Sequence, residues 1–323
     1  MQEENRRMYE LVFPAPEVKT PNSDGPTLIV ALEGYADAGQ AIDASSEHLL
    51  AALDHLPVAS FNSDELIDYR SRRPAVTIDY NTVVDVEDLN LGINVLKDNK
   101  GTPFLLLSGP EPDMRWESFT HAVADLVDKF GVNQTICLYS APMAVPHSRP
   151  LIISAHGNTP ELIDSQFSLD TKITVPGSAT LLLERLLHQR GKKVAGFTAH
   201  VPHYLSASPY PSATLGLLEA ISKAAHLTIP LHSLEEDAAR IAVQIEEQIQ
   251  GSPEIEQVVS MLETQYDEEL ERYRQNNPTA VLPGEGSMPS GEQLGAEFEN
   301  FLATLDDRSI EGNSSSHEDP SED

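Results

Sequence analysis

From Tyr9 to about His226 the chain alternates short apolar, β-rich runs with stretches of helical periodicity. LIVALE (28–33) reads as a buried strand, and Ile42, Leu49, Leu50 and Leu53 then fall on one helical face. PVASFN (57–62), AVTIDY (75–80) and PFLLLS (103–108) are further predicted strands. A helix follows whose face carries Phe119, Val123, Leu126, Val127 and Phe130. TICLYS (135–140), LIISAH (151–156) and KITV (172–175) extend the series. The helix SATLLLERLLHQR (178–190), the strand VAGFTA (194–199) and the helix SATLGLLEAISKAA (212–225) complete it. Strands alternating with helices predict an α/β three-layer sandwich with a mostly parallel sheet.

Beyond residue 230 the pattern becomes purely helical. Ser233 and Glu236 have the spacing of a capping box, with Ile241, Ile245 and Ile249 on one face behind them. Gly251, Ser252 and Pro253 read as a stop, a cap and a first-turn proline. Ile255, Val258, Val259, Leu262, Tyr266 and Tyr273 then recur at helical intervals. This predicts a helical hairpin whose stripe must lie on the α/β body or on another subunit, because a helix that buries nothing is marginal. After Asn276 the composition turns to Pro, Gly, Ser and acid. Three regions are expected: an α/β core (1–232), the helical hairpin (233–276) and an acidic, largely disordered tail (277–323) with one short amphipathic helix at 292–305.

Charge sharpens that division. The chain carries 21 Lys+Arg against 51 Asp+Glu, a net of -30, and from Ser233 onward there are 23 acidic and 4 basic residues. So acidic a surface excludes nucleic acid as a partner, since neutralising phosphates requires basic residues. The single cysteine, Cys137, sits in an apolar run and points to a reducing compartment, the cytoplasm. The N-terminus lacks the apolar core of a signal peptide and no apolar run reaches bilayer-spanning length, so neither export nor membrane insertion is expected.

Candidate chemistry gathers at the predicted strand ends, where ligands bind in open α/β sheets. Glu33 and Asp37 lie in EGYADAG; Asp37 can cap the next helix, with Gly34 and Gly39 giving tight backbone geometry. In GPEPDMRW, Asp113 can cap a helix, and Arg115 can bind an anion or pair with Glu33, Asp37 or another acid. The tripeptide Val-Pro-His occurs twice, ending in His147 and His203, the second followed by Tyr204. Proline keeps the preceding valine extended and removes a donor, so each ladder should stop there. If both strands belong to one parallel sheet, His147 and His203 share an edge with Glu33, Asp37 and Arg115. A pocket, a subunit contact or plain turn geometry all fit that edge. The flanking residues do not match, which argues against an internal repeat. The 11 histidines form no metal signature, no Gly-x-Ser-x-Gly elbow is present, and Pro176-Gly177-Ser178 reads as a turn and helix cap. No metal site, cofactor or catalytic residue is expected.

Taken in order, EGYADAG, SRRP (71–74), GPEPDMRW, VPHSRP and VPHYLSASPYPSATLGLL resemble the proteasome assembly chaperone two family, in its actinobacterial branch, over roughly residues 10 to 275. The resemblance implies a fold like that of nucleoside phosphorylases and hydrolases and assembly into homo-oligomers, a trimer being the size entertained. Family members that act as proteasome chaperones dock through a C-terminal hydrophobic-tyrosine-any-residue signal, whereas this sequence ends Pro320-Ser321-Glu322-Asp323. The expected function is therefore a non-catalytic cytoplasmic assembly or scaffold protein that binds itself and another protein without that signal. The alternative is a nucleoside phosphorylase/hydrolase-like enzyme or small-molecule binder using Glu33, Asp37, Arg115, His147, His203 and Tyr204.

Overall fold

The computed structural model describes residues 8–13, 16, 18, 25–164, 166–168, 172–278 and 280–285. The helix expected at 292–305 and most of the acidic tail lie outside the described residues. The strands are β1 (Tyr9–Leu11), β2 (Thr27–Glu33), β3 (His55–Phe61), β4 (Val76–Asp79), β5 (Thr82–Val86), β6 (Gly92–Lys97), β7 (Pro103–Pro110), β8 (Gln134–Met143), β9 (Ile153–Gly157) and β10 (Lys193–Pro202). The helices are α1 (Ala41–Ala52), α2 (Ser63–Leu66), α3 (Trp116–Lys129), α4 (Pro160–Ile163), α5 (Ala179–Gln189), α6 (Pro211–Ala225), α7 (His232–Gln250) and α8 (Pro253–Asn276). All belong to a compact unit ending at Pro283; of the second unit, Gly284–Asp323, only the first two residues are described.

Eight strands form one sheet in the order β1-β3-β6-β7-β2-β8-β10-β9. β7, β2, β8 and β10 run parallel at its centre, while β6 on one side and β9 on the other pair antiparallel to them. The apolar runs of β2 and β7 are buried on both faces, as central parallel strands require. Alternation then sorts the side chains. Ile29 and Ala31 pack with Leu106, Phe197 and the inward faces of α1, α6 and α7. Leu28, Val30 and Leu32 face the other way, with Leu105 of β7, onto Phe119, Val123 and Leu183 of the layer built by α3 and α5. Two apolar cores on opposite sides of one sheet make the three-layer α/β sandwich with its mostly parallel sheet.

Several local expectations are corrected. KITV (172–175) is not a strand; its residues are exposed and outside any ladder. AVTIDY does contain a strand, β4, but it pairs only with β5 in a separate two-stranded ribbon. GINVLK, which no expectation covered, is β6 and joins β3 to β7. The capping box at Ser233 does not form: α7 begins one residue earlier and has no side-chain cap. Ser178, by contrast, accepts the Leu181 amide at 3.1 Å and caps α5 as its sequence predicts.

Candidate functional site

The parallel strands end on one side of the sheet, at Glu33, Pro110, Met143 and Pro202. Past β2 the chain turns through Gly34 into a short 3₁₀ turn, Ala38–Gln40, before α1. Gly34 lets the Glu111 side chain pack close, because a Cβ would lie 2.5 Å from Glu111 Oε2. Asp37 accepts the amides of Ile42 (2.8 Å) and Asp43 (3.1 Å) and so caps α1. Burial raises its pKa above the ordinary carboxylate value, and these amides oppose the shift.

Glu33 is the most perturbed acid at this edge. Burial, reinforced by the charge of Asp43, pushes its pKa up to about 7, against the lowering effect of Arg72. Arg72 Nη2 donates to the Glu33 carbonyl at 3.0 Å, and its Nη1 lies 3.6 Å from the carboxylate. The Glu111 amide donates to the same carbonyl at 2.7 Å, and Glu111 Oε1 receives the Ala179 amide at 2.6 Å, tying this edge to the start of α5. Burial raises Glu111 as well. Arg72 and Glu111 were absent from the sequence-predicted site, although both lie in motifs singled out there, SRRP and GPEPDMRW.

Arg115 does not join this group. It precedes α3 in a left-handed conformation (φ 59°) and pairs with Glu65, not with Glu33 or Asp37. Nor does Asp113 cap α3; it receives the Asp68 amide at 2.8 Å, because the chain at 113–114 folds back on the end of α2.

The two Val-Pro-His turns come together through Tyr204. Pro202 ends the β10 ladder, as expected, whereas β8 already stops at Met143, two residues before Val145. Sheet register pairs Val201 with Pro142, so the two tripeptides are not structural equivalents. The His147 amide donates to the Tyr204 hydroxyl at 2.9 Å, and His147 Nδ1 is hydrogen-bonded to the same hydroxyl at 2.8 Å. The other His147 ring nitrogen, Nε2, lies 3.6 Å from a carboxylate oxygen of Glu246 of α7. The His147 side chain is 6% exposed, while His203 is exposed and meets the Tyr204 ring edge-on at 5.4 Å. Burial pushes Tyr204 up to about 12. The loop carrying Asp37 is bound to the second turn by Gly39 N–H to Ser206 O (2.8 Å) and Tyr210 N–H to Gly39 O (2.9 Å).

The first turn also seats the helical hairpin. Arg149 makes a bidentate pair with Asp267 (both bonds 2.9 Å) and a third bond to Glu263 at 3.1 Å. Tyr266 donates to Pro150 O at 2.7 Å, and Tyr273 stacks on Phe167 at 4.2 Å. The hairpin thus lies on its own α/β body.

A further polar cluster escaped sequence reading. Tyr139 donates to Glu184 Oε1 at 2.6 Å, and His156 Nε2 lies 3.0 Å from Glu184 Oε2. Gly196 makes room, since a Cβ there would stand 2.4 Å from the His156 ring. The bond to Glu184 raises His156, and burial raises both Tyr139 and Cys137 well above their ordinary values. The one available signal was Glu184 itself, a lone acid within the apolar face of LLLERLL. Among the described residues no cluster of three or more His, Cys, Asp or Glu side chains could hold a metal ion, and no helix is long and apolar enough to cross a membrane.

These features define an α/β sandwich whose strand-end loops are stitched together by polar side chains and clasped by a C-terminal helical hairpin. The chain belongs to the PAC2 family, whose sequence profile matches residues 31–249. It is similar to a Corynebacterium glutamicum protein of unknown function, with 60% identity and a TM-score of 0.81 over 83% of this chain and 100% of that one. A Mycobacterium tuberculosis protein of unknown function is 48% identical, with a TM-score of 0.80 over 87% and 95% of the two chains. A second M. tuberculosis protein, a proteasome-assembly chaperone homologue, shares 25% identity at a TM-score of 0.65, over 72% of this chain and 99% of that one. No curated protein matches the chain.

Proposed function

We propose that the protein is a non-catalytic, homo-oligomeric assembly scaffold of the cytoplasm, chaperone-like as its family suggests, that presents its acidic helical hairpin to a protein partner. One observation carries this reading: Asp37, Glu111, His147 and Arg149 near the strand ends are engaged in holding the molecule together, whereas the outer surface of the hairpin is not. Asp37 and Glu111 receive helix-start amides, His147 joins two loops, and Arg149 clamps α8. On the hairpin, Val243 (60% exposed), Ile255, Val258 and Met261 (64%) stand exposed in a segment, 233–276, with 12 acidic and 3 basic residues. Exposed apolar side chains among carboxylates suit a basic, amphipathic protein surface. The test is quantitative capture of native partners by the tagged full chain. Val258→Asp with Met261→Asp should abolish capture, and Glu33→Gln or His203→Ala should preserve it. Capture that survives the hairpin pair, or fails with the strand-end changes, would refute the reading.

A second reading rests on Glu33, a carboxyl held near pKa 7 at the place where α/β sheets bind ligands. It makes the edge a small-molecule site of nucleoside phosphorylase or hydrolase type, with Asp37 close enough to act on Glu33 through its charge and His203 and Tyr204 on the turn after β10 as further candidates. Thermal-shift screening with nucleosides, nucleotides and phosphate decides it: stabilisation lost in Glu33→Gln would favour this reading, and no stabilisation would remove it.

A further inference from the structure

Glu184 sits where an acid is costly. It stands on the buried face of α5 between Leu183 and Leu187, and its side chain is 10% exposed. A carboxylate taken that far out of water destabilises the fold unless donors meet it. Three do: Tyr139 of β8 donates to Oε1 at 2.6 Å, the Cys137 thiol of the same strand bonds the carboxylate, and His156 of β9 brings Nε2 to 3.0 Å from Oε2. The sheet is shaped around this group. Glycine weakens a strand interior, yet Gly196 of β10 stands in register with both Cys137 and His156. A Cβ there would lie 2.6 Å from His156 Nε2 and 2.6 Å from Glu184 Oε1, so a larger residue would crowd the pair. Gly196 lies six residues before Pro202 on β10, about 20 Å at the rise of a strand, so His156 opposite it is away from the strand-end edge. β9 is the last strand of the sheet, and the His156 ring emerges beside α5 with 49% of its surface exposed.

We propose that His156 is a nucleophilic site that takes an acyl group from uncharged, activated acyl donors. A carboxylate only accepts, so the bond to Glu184 holds a proton on Nε2 and leaves the lone pair of the neutral ring on Nδ1. The Cε1–Nε2 edge is turned toward Gly196, and the open remainder of the ring carries Nδ1. Tyr139 fixes the carboxylate as the carboxylate fixes the ring, which supplies the nucleophile, base and orienting third group of an activated side chain. In the step, the Nδ1 lone pair bonds to the carbonyl carbon, the C–O bond to the leaving group breaks, and the leaving oxygen departs with that electron pair. The Nε2 proton stays with the ring, and Glu184 balances the positive charge that acylation creates. Charge selects the donor class. A phosphoryl donor is itself negative and would approach a carboxylate behind the ring, on a chain of net charge -30. A neutral acyl donor meets no such repulsion. His232 shows what burial adds: it lies 3.5 and 3.4 Å from Glu235 and Glu236, but it is 84% exposed and those carboxylates are solvated.

The site is independent of the role proposed for the helical hairpin. Diethyl pyrocarbonate, an uncharged acyl donor, tests it on the full chain, with the modified histidine peptides quantified against time by mass spectrometry. His156 should react at least about tenfold faster than the exposed His203 and His232, a modest share of what a positioned base supplies. Its rate should climb with pH through a midpoint above histidine's ordinary 6.5, because the bond to Glu184 raises the ring. Glu184→Gln should bring His156 down to the rate of the other two, with a thermal melt confirming the fold. Tyr139→Phe removes only the orienting hydroxyl and should slow His156 in the same direction, which keeps the comparison available if the first variant folds poorly. Phosphoramidate, a charged phosphoryl donor, should modify His156 no more than His203. A His156 that reacts no faster than His203, or a rate indifferent to both substitutions, would overturn the proposal. Preferential phosphorylation of His156 would overturn its choice of donor.

Discussion

The helical hairpin of α7 and α8 and the ribbon of β4 and β5 follow the same plan, an apolar stripe on one side and acid on the other, yet they meet opposite fates. Within reach of the helical stripe the body supplies a fitted seat. Pro150 O accepts the Tyr266 hydroxyl, Arg149 forks onto Asp267, and Phe167 stacks on Tyr273. Among the described residues the ribbon has no such seat, and its aliphatic pairs, Val76 with Val86 and Ile78 with Val83, are exposed. Amphipathicity in a sequence announces that a face needs covering without saying whether the cover is the same chain. The answer lies in what neighbouring loops carry, here Arg149 and Pro150 in the turn after β8. It also lies in sequence distance: α8 meets a loop more than a hundred residues earlier, a pairing that no local pattern encodes.

Truncating one aromatic ring in each hairpin gives the largest expected contrast. Tyr266 is 3% exposed and Tyr80 is 99% exposed. Tyr266→Ala leaves a cavity and an unmet carbonyl, costing about 3 kcal/mol, or roughly 6–10 °C of thermal midpoint for a chain of this size. Tyr80→Ala, measured at a concentration where the chain is monomeric, should change stability by less than about 0.5 kcal/mol. Equal losses would erase the distinction between a seated and an unseated hairpin.

What could be read in advance follows the same line between local and distant. β2, β7, β8 and β10 were legible because continuous apolar runs report double-sided burial directly, and α1, α3, α5 and α6 because their stripes do. KITV misled because strand propensity describes a pleated surface that must have neighbours, and Ile173 and Val175 have none in a ladder. GINVLK was missed because it is short and bounded by no helix. At the site, Asp37 was readable as a cap, since a cap is a contact within six residues. Parallel strands ending on one side put the two Val-Pro-His turns at one edge, but the bond between His147 and Tyr204 that joins them had no signal in the sequence. Arg115 could not be assigned, because it chose Glu65 of α2 among many acids and nothing in its spacing distinguishes them. The Tyr139, His156 and Glu184 cluster depends on three elements and on the empty space over Gly196, and a missing Cβ leaves no pattern.

A smaller effect sharpens how the helical hairpin is held. Arg149→Lys keeps the charge but loses the planar fork that meets both Asp267 oxygens while reaching Glu263. Hydrogen exchange should quicken along α8 and leave α3 and α5 unchanged, since only the clasp is loosened. The gap between wild type and variant should narrow in high salt, because the side chains are partly exposed. Faster exchange in the sheet instead would mean that Arg149 supports the body rather than the hairpin.

The smallest expected effect concerns the root of the ribbon, where Arg72 meets Glu33. Glu33 is raised to about 7 from an ordinary value near 4.5, chiefly by burial. Between those two values the folded protein holds a proton that the unfolded chain has released, so stability contributed by this carboxyl is full below about pH 4.5 and declines as pH rises through 7. Glu33→Gln keeps the side chain neutral at every pH and removes that decline, at the cost of the long contact with Arg72. Thermal midpoints of the two proteins should therefore be close at pH 5, and the variant should melt higher at pH 8, by less than about 5 °C because the carboxyl is partly solvated. Tyr266→Ala should show no such divergence, since its loss is one of packing. If Glu33→Gln instead melts lower at pH 8, the Arg72 pair outweighs burial, and the root of the ribbon is held by charge as firmly as α8 is.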